Sequence, residues 1–96
     1  MDLKFNIDNY QVNMSNLYKI TITNTVSGKF TSIKIDINTS FEDKIYIISR
    51  QLMLVNKNRN PQYKTIFNSL IEAQIFIQKL KNKINNPVFQ SYKNEN

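Results

Sequence analysis

Apolar and polar side chains alternate along much of the first 37 residues, and this pattern constrains the fold more than any other feature. In residues 3–7, 18–22 and 33–37 an aliphatic or aromatic residue occupies every second position. Because successive side chains of a strand point to opposite faces, such alternation is typical of strands with one buried face. It predicts a three-stranded antiparallel meander, with Tyr10 and Val12 continuing the first strand beyond a bend.

The only glycine of the chain, Gly28, lies between the second and third alternating runs. Glycine adopts positive φ without steric cost, which tight turns between antiparallel strands often require. We therefore expect a hairpin turn at residues 27–29, with Gly28 in that conformation.

Residues 40–55 fit either a strand or a helix. The β-branched cluster in residues 44–49 favours a strand, which is our preferred interpretation. The alternative is a second helix over residues 41–55, with Ser40 as N-cap and Asp43 three positions later. In that helix the apolar residues form one stripe, which comprises Phe41, Ile45, Ile48, Leu52 and Val55.

The C-terminal part of the chain is predicted to hold the best-marked helix. Residues 56–61 have a loop composition, and residues 62–67 predict a short strand with Tyr63, Thr65 and Phe67 on one side. Ser69 followed by Glu72 forms a capping box that starts the helix. Its core-facing stripe comprises Leu70, Ala73, Phe76, Ile77, Leu80 and Ile84.

These elements predict an α+β fold in which a small antiparallel sheet of three to five strands is packed by one C-terminal helix. The chain has 96 residues and no cysteine, so a second core would lack the disulfides that very small domains need. We expect one domain over residues 1–87 and a partly ordered tail over residues 88–96.

The composition excludes several kinds of chemistry. The chain has neither cysteine nor histidine, which removes thiolate and imidazole metal ligands and the usual general base. One glycine cannot build a phosphate-binding loop, and the acidic residues are scattered. We therefore expect no enzyme activity, no cofactor and no metal. No signal peptide or membrane span is recognisable, so the expected location is the cytoplasm.

Positive charge is concentrated in the second part of the chain. The net charge is +6, with −1 over residues 1–43, +8 over residues 44–93 and −1 from Glu95. An uneven positive field attracts polyanions such as nucleic acid. The alternative is a lysine-rich surface that only keeps the protein solvated.

Cations and a tyrosine in this basic part are candidates for nucleic-acid contacts, because cations bind phosphates and an exposed tyrosine can stack on an unpaired base. These candidates are Lys44, Arg50, Lys57, Arg59, Tyr63, Lys64, Lys79 and Lys83. The alternatives are that Tyr63 packs in the core and that the lysines of the last helix stabilise its C-terminus.

Ile71 and Ile75 suggest a second function. At 100° per residue they lie opposite the core stripe of the last helix, where two isoleucines form a small apolar patch. Such a patch suits a protein-interaction or inhibitor module, for example one from a phage or mobile element. Its partner would be an acidic or nucleic-acid-processing protein, or a second copy in a homodimer. The alternative is that Val88 and Phe89 fold back over the patch.

Residues 63–73, followed by residues 83–86, resemble the closing strand and helix of WGR domains, which bind DNA ends. The resemblance covers about a quarter of the chain. It implies a strand that leads into the last helix. The Trp-Gly-Arg motif that defines the family is missing, since the nearest place has Ile48, Ser49 and Arg50, and we do not assign the chain to that family.

Overall fold

The fold is α+β, as the alternation and the capping pattern predict. The structure is a computed structural model that describes residues 2–15, 18–36, 38–53 and 61–84. These ranges contain β1 (Asp2–Ile7), β2 (Tyr10–Ser15), β3 (Lys19–Asn24), β4 (Phe30–Lys34), α1 (Phe41–Met53), α2 (Tyr63–Ile66) and α3 (Leu70–Ile84). The strands form one antiparallel sheet in the order β1-β2-β3-β4.

The first apolar run forms two strands rather than one bent strand, so the predicted three-stranded meander contains four strands, a number within the three to five predicted for the sheet. Ile7 pairs with Tyr10 across a two-residue turn formed by Asp8 and Asn9. Asp8 has a φ of 51°, a left-handed conformation that aspartate tolerates better than most residues. Asp-Asn is a weaker hairpin signal than Asn-Gly or Asp-Gly, so the alternation resembled one continuous strand.

The turn between β3 and β4 confirms the prediction for Gly28, whose φ is 78°. A Cβ added at Gly28 would meet nothing within 4 Å, so the turn requires glycine for its backbone conformation and not for space. Asn24, at the end of β3, holds this turn, because its Oδ1 accepts the backbone N–H groups of Val26 at 2.9 Å and Ser27 at 3.2 Å.

The strand preferred for residues 44–49 is wrong, because this segment lies in helix α1. Ser40 caps the helix as the alternative interpretation predicts, with its Oγ accepting the N–H of Asp43 at 3.2 Å. Ile45, Ile48 and Leu52 are buried on one helix face. Each buried side chain contributes about 1.5–3 kcal/mol. That exceeds the helix-propensity deficit of a β-branched residue, at most about 0.7 kcal/mol.

The short strand predicted within residues 62–67 is also wrong, since these residues contain the one-turn helix α2. A hydrogen bond of 2.8 Å joins the N–H of Phe67 to the carbonyl of Tyr63. This turn buries Ile66 and Phe67 and leaves Thr65 exposed. The strand implied by the WGR resemblance is therefore absent at this place.

The capped C-terminal helix is confirmed as α3. Ser69 Oγ accepts the N–H of Glu72 at 3.1 Å, and the Glu72 carboxylate accepts the N–H of Asn68 at 3.2 Å. Four residues of the predicted stripe are buried, namely Ala73, Phe76, Ile77 and Leu80. Leu70 is exposed, so its assignment to the core is wrong; it is the first residue of the helix.

The helices and one face of the sheet share a single hydrophobic core. Three aromatic rings lie near its centre, with centroids 4.8 Å apart for Tyr10 and Phe67, 5.3 Å for Tyr10 and Phe76, and 5.2 Å for Phe67 and Phe76. The opposite face of the sheet carries polar side chains and faces away from this core.

Some predictions lie outside the described residues. These are the loop over residues 56–60, the tail over residues 88–96, the contributions of Ile37 and Val55, and the side chains of Phe41 and Ile84.

Candidate functional site

Burial removes Lys44 from the cations available to a phosphate. Lys44 is in the first half of α1, next to the buried Ile45, and is 5% exposed. Burial lowers the pKa of its ammonium, because the charged form loses hydration. Its position on α1, rather than on a strand, directs it toward the protein interior.

Arg50 is exposed on α1, and the helix places it one turn after Tyr46. The guanidinium carbon lies 5.9 Å from the centre of the Tyr46 ring, which is 60% exposed. This spacing allows a cation–π contact. Sequence reasoning included Arg50 but missed Tyr46, because i and i+4 residues are neighbours on a helix and not on a strand.

Tyr63 and Lys64 are separated by the turn of α2. Tyr63 is half-buried and packs against the core, whereas Lys64 is exposed. Adjacent helical residues do not share a face, so the two side chains do not form the combined surface that a strand or loop was expected to present. Lys57 and Arg59 lie outside the described residues.

Lys79 and Lys83 lie one turn apart on α3, beside β1 and the turn that follows it. Lys79 Nζ forms an ion pair with Asp8 Oδ2 at 2.6 Å. Lys83 Nζ lies 5.6 Å from the centre of the Phe5 ring. Lys79 therefore already has an acidic partner, and the ammonium of Lys83 lies over an aromatic ring.

The face of the sheet opposite the helices, here called the open face, brings together polar residues from all four strands. The register pairs Lys19 with Lys34, Thr21 with Ser32, and Thr23 with Phe30. The described side chains of this face belong to Lys4, Asn6, Gln11, Asn13, Ser15, Lys19, Thr21, Thr23, Phe30, Ser32 and Lys34. Phe30 is 64% exposed at one end of the face.

Ile71 and Ile75 face outward on α3, as their helical positions predict. They are 67% and 48% exposed, respectively. Ile75 also lines a cleft of about 530 Å³ between α3 and the two hairpin turns. We call this the turn cleft; it is lined by Asp8, Asn9, Tyr10, Asn24, Val26, Ser27, Asn68, Glu72, Ile75, Phe76 and Lys79.

Polar groups in the turn cleft connect distant parts of the chain. The hydroxyl of Tyr10 donates to Glu72 Oε2 at 3.2 Å, and Asn24 Nδ2 donates to the carbonyl of Ile66 at 2.8 Å. The pKa of Tyr10 is raised, first by burial and then by the hydrogen bond to Glu72. Both effects favour the neutral phenol over the phenolate.

The raised pKa of Tyr10 predicts a loss of stability at high pH. Folding favours the protonated phenol, so its stabilising effect is complete below the unfolded value of 10.0 and is lost as the pH rises through the folded pKa. Absorbance of tyrosinate during an alkaline titration should show Tyr10 ionising above its unfolded value of 10.0, together with unfolding.

Tyr10→Phe should remove this late ionisation and make the stability less steeply dependent on pH above 10.0. In Tyr46→Phe, which removes an exposed ring, the late ionisation should persist. A late ionisation that survives Tyr10→Phe would contradict the assignment.

The features of the candidate site that sequence reasoning missed depend on contacts between distant residues. Asp8 and Lys79 are 71 positions apart, and Tyr10 and Glu72 are 62 apart. Nothing in local spacing indicates such pairs. The Lys19–Lys34 pair could be found from the two alternating runs and the glycine turn, once the strand register is known.

Two negative findings hold for the described part of the chain. No helix there is long and apolar enough to cross a membrane. Likewise, no three acidic side chains in those ranges converge into a group that could hold a metal ion. Comparisons with protein-family models, with curated proteins and with solved structures find no match for this chain.

Proposed function

We propose that the chain is a non-catalytic nucleic-acid-binding module of the cytoplasm. The observation that supports this is uncompensated positive charge. The net charge is +6, and between described residues there is one ion pair, Lys79 with Asp8. The other cations of this part of the chain, except the buried Lys44, remain exposed or half-exposed without an acidic partner among those residues.

The helices contribute part of this charge. Arg50 and Lys64 are exposed, and both come from the basic part of the sequence. Exposed cations that are not fixed by ion pairs attract phosphates over a distance and release counterions when they bind. Lys57 and Arg59 remain candidates on the basis of the sequence.

The test is a binding titration with short DNA and RNA oligonucleotides, single-stranded and duplex, over a series of salt concentrations. We expect the logarithm of the binding constant to fall linearly with the logarithm of the salt concentration. Failure to bind any of these oligonucleotides at low salt would contradict the proposal.

A charge-matched pair of variants tests the contribution of the helices. Arg50→Gln with Lys64→Gln should slow association and make the binding constant less dependent on salt. Exposed charges mainly affect the rate at which the protein and the nucleic acid meet. The control, Lys29→Gln with Lys81→Gln, removes the same charge from exposed residues outside the proposed contacts and should have a smaller effect.

A second candidate function is supported by the exposed aliphatic residues at the turn cleft. Ile71, Ile75 and Val26 are all exposed, and two of them line the cleft. Exposed apolar patches beside polar groups are typical of protein-interaction surfaces. The partner would be an acidic or nucleic-acid-processing protein, or a second copy of the chain.

Ile71→Asp with Ile75→Asp tests this candidate. The control, Gln74→Asp with Gln78→Asp, adds the same charge to exposed positions of the same helix. If the patch forms a homodimer, light scattering should show a reduced mass for the isoleucine variant alone. If it binds another protein, nuclease-treated extracts should contain a partner that this variant loses and the control retains. Equal behaviour of both variants would exclude the patch.

A further inference from the structure

We propose that the open face of the sheet binds single-stranded nucleic acid, with phosphates at Lys19 and Lys34 and an unpaired base stacked on Phe30. This inference rests on the proposed nucleic-acid-binding function and assigns it a surface and a class of ligand. The direct contacts with nucleic acid then lie on the N-terminal sheet, whose sequence is nearly neutral. The cations of the helices attract the nucleic acid from a distance.

The first observation is a pair of like charges. Lys19 and Lys34 are direct cross-strand partners, so their Cβ atoms are about 4.5–5.5 Å apart. Neither forms an ion pair with a described residue, and both side chains are at least partly exposed. The nearest acidic residue is Asp36, two residues after Lys34, whose carboxylate accepts the backbone N–H of Asn38 at 2.8 Å and forms no ion pair with either lysine.

Two ammonium groups in this position destabilise the sheet unless an anion lies between them. A phosphate carries the charge that would relieve their repulsion, and it accepts hydrogen bonds from both. Lys4 adds a third cation to the same face. It lies in the next row of cross-strand partners, which comprises Lys4, Asn13, Thr21 and Ser32.

The second observation is the exposed aromatic ring at the other end of the same two strands. Phe30 is 64% exposed and shares the open face with Lys34, four residues further along β4. At about 3.3 Å per residue, the two positions are about 13 Å apart. An extended nucleotide strand can therefore reach from the lysine pair to the ring. Exposed aromatic rings are common stacking platforms for unpaired bases.

The one row between Phe30 and the lysine pair carries hydrogen-bonding groups. Thr21 Oγ1 and Ser32 Oγ lie 2.9 Å apart across the strands, and Asn13 occupies the same row. Asn13 Oδ1 is buried and has no hydrogen-bond partner among the described residues. Hydroxyl and amide groups can both donate to and accept from the exposed edges of unpaired bases.

The shape of the face favours single strands over duplexes. A duplex is read by an element that enters a groove, such as a helix, and the described helices lie on the other side of this sheet. Bases within a duplex are also stacked on one another, so none offers a free face to Phe30. Single strands can spread their bases over an open sheet.

The experiment compares three double variants that lose the same charge. Lys19→Gln with Lys34→Gln should reduce the slope of log binding constant against log salt by about 1.4 for single strands, as expected for two lost phosphate contacts. It should also speed dissociation. The other two double variants should change the dissociation rate less. They are Arg50→Gln with Lys64→Gln, and Lys29→Gln with Lys81→Gln.

Phe30→Ala tests the stacking contact independently of charge. It should weaken single-strand binding about tenfold and leave the weaker duplex binding unchanged. A folding control is available, because removing the Lys19–Lys34 repulsion should preserve or raise the urea midpoint of the sheet variant.

The possible failures can be distinguished. No binding by the wild-type chain would contradict the proposed function itself. Binding that responds to the Arg50 and Lys64 substitutions, but to neither Phe30→Ala nor the Lys19 and Lys34 substitutions, would overturn the open face and leave the function intact. Equal preference for duplexes and single strands would also overturn it.

Discussion

Phe76→Ala is expected to lower the free energy of unfolding by about 4 kcal/mol, the largest single effect predicted for this protein. Phe76 is nearly inaccessible to solvent, and its ring contacts both Tyr10 of β2 and Phe67 after α2. Truncation removes the contacts of α3 with both and leaves a cavity where three elements meet. A loss of this size shifts the folding equilibrium about a thousandfold.

Urea unfolding followed by circular dichroism measures the effect of Phe76→Ala. Ile75→Ala is the matched control, since it truncates the neighbouring residue of the same helix at a half-exposed position. The control should cost less than about 1 kcal/mol. A similarly small loss for Phe76→Ala would contradict the position of α3 on the sheet.

Asn24→Asp is expected to destabilise the fold by about 3 kcal/mol. Asn24 is one of two buried polar residues in the described part of the chain, and the oxygen and nitrogen of its side-chain amide bind different partners. Its Oδ1 holds the Gly28 turn, while its Nδ2 donates to the carbonyl of Ile66 in α2 at 2.8 Å. Aspartate keeps the acceptor but loses this donor, and it brings a negative oxygen against the carbonyl oxygen.

Thermal or urea unfolding at neutral pH tests this prediction. Asn6→Asp makes the same chemical change at an exposed position of β1 and should have little effect on stability. If Asn24→Asp were no more destabilising than Asn6→Asp, the hydrogen bond from the β3–β4 hairpin to α2 would make no net contribution to folding.

The sequence predicted those elements whose signals are local. Alternation of apolar residues identified the sheet, Gly28 identified one hairpin turn, and the spacing of Ser69 and Glu72 identified the start of α3. In these segments the local preference of the chain agrees with the burial that the fold requires.

Two segments were misassigned because packing decided their conformation. β-branched residues in residues 44–49 favour a strand locally, yet burial of Ile45, Ile48 and Leu52 on one face favours α1. In residues 63–66, one helical turn buries Ile66, which strand alternation assigned to the opposite side from Tyr63 and Phe67. Local propensity could not reveal either outcome.

The candidate site was less predictable than the fold. Charge counting along the chain pointed to the C-terminal half, where Lys44 is buried and Lys79 is paired with Asp8. The open face depends instead on the register, which joins Lys19 and Lys34 from separate strands. The distribution of charged residues along the sequence does not show whether their side chains share a surface.

The order of the strands has a consequence for how the chain folds during synthesis. Each strand pairs with the preceding one through a hairpin, so the sheet can assemble in the order in which the ribosome releases it. Its apolar face, however, is closed by residues of α3 near the C-terminus, including Phe76 and Leu80. The nascent sheet therefore remains prone to aggregation until α3 has left the ribosome.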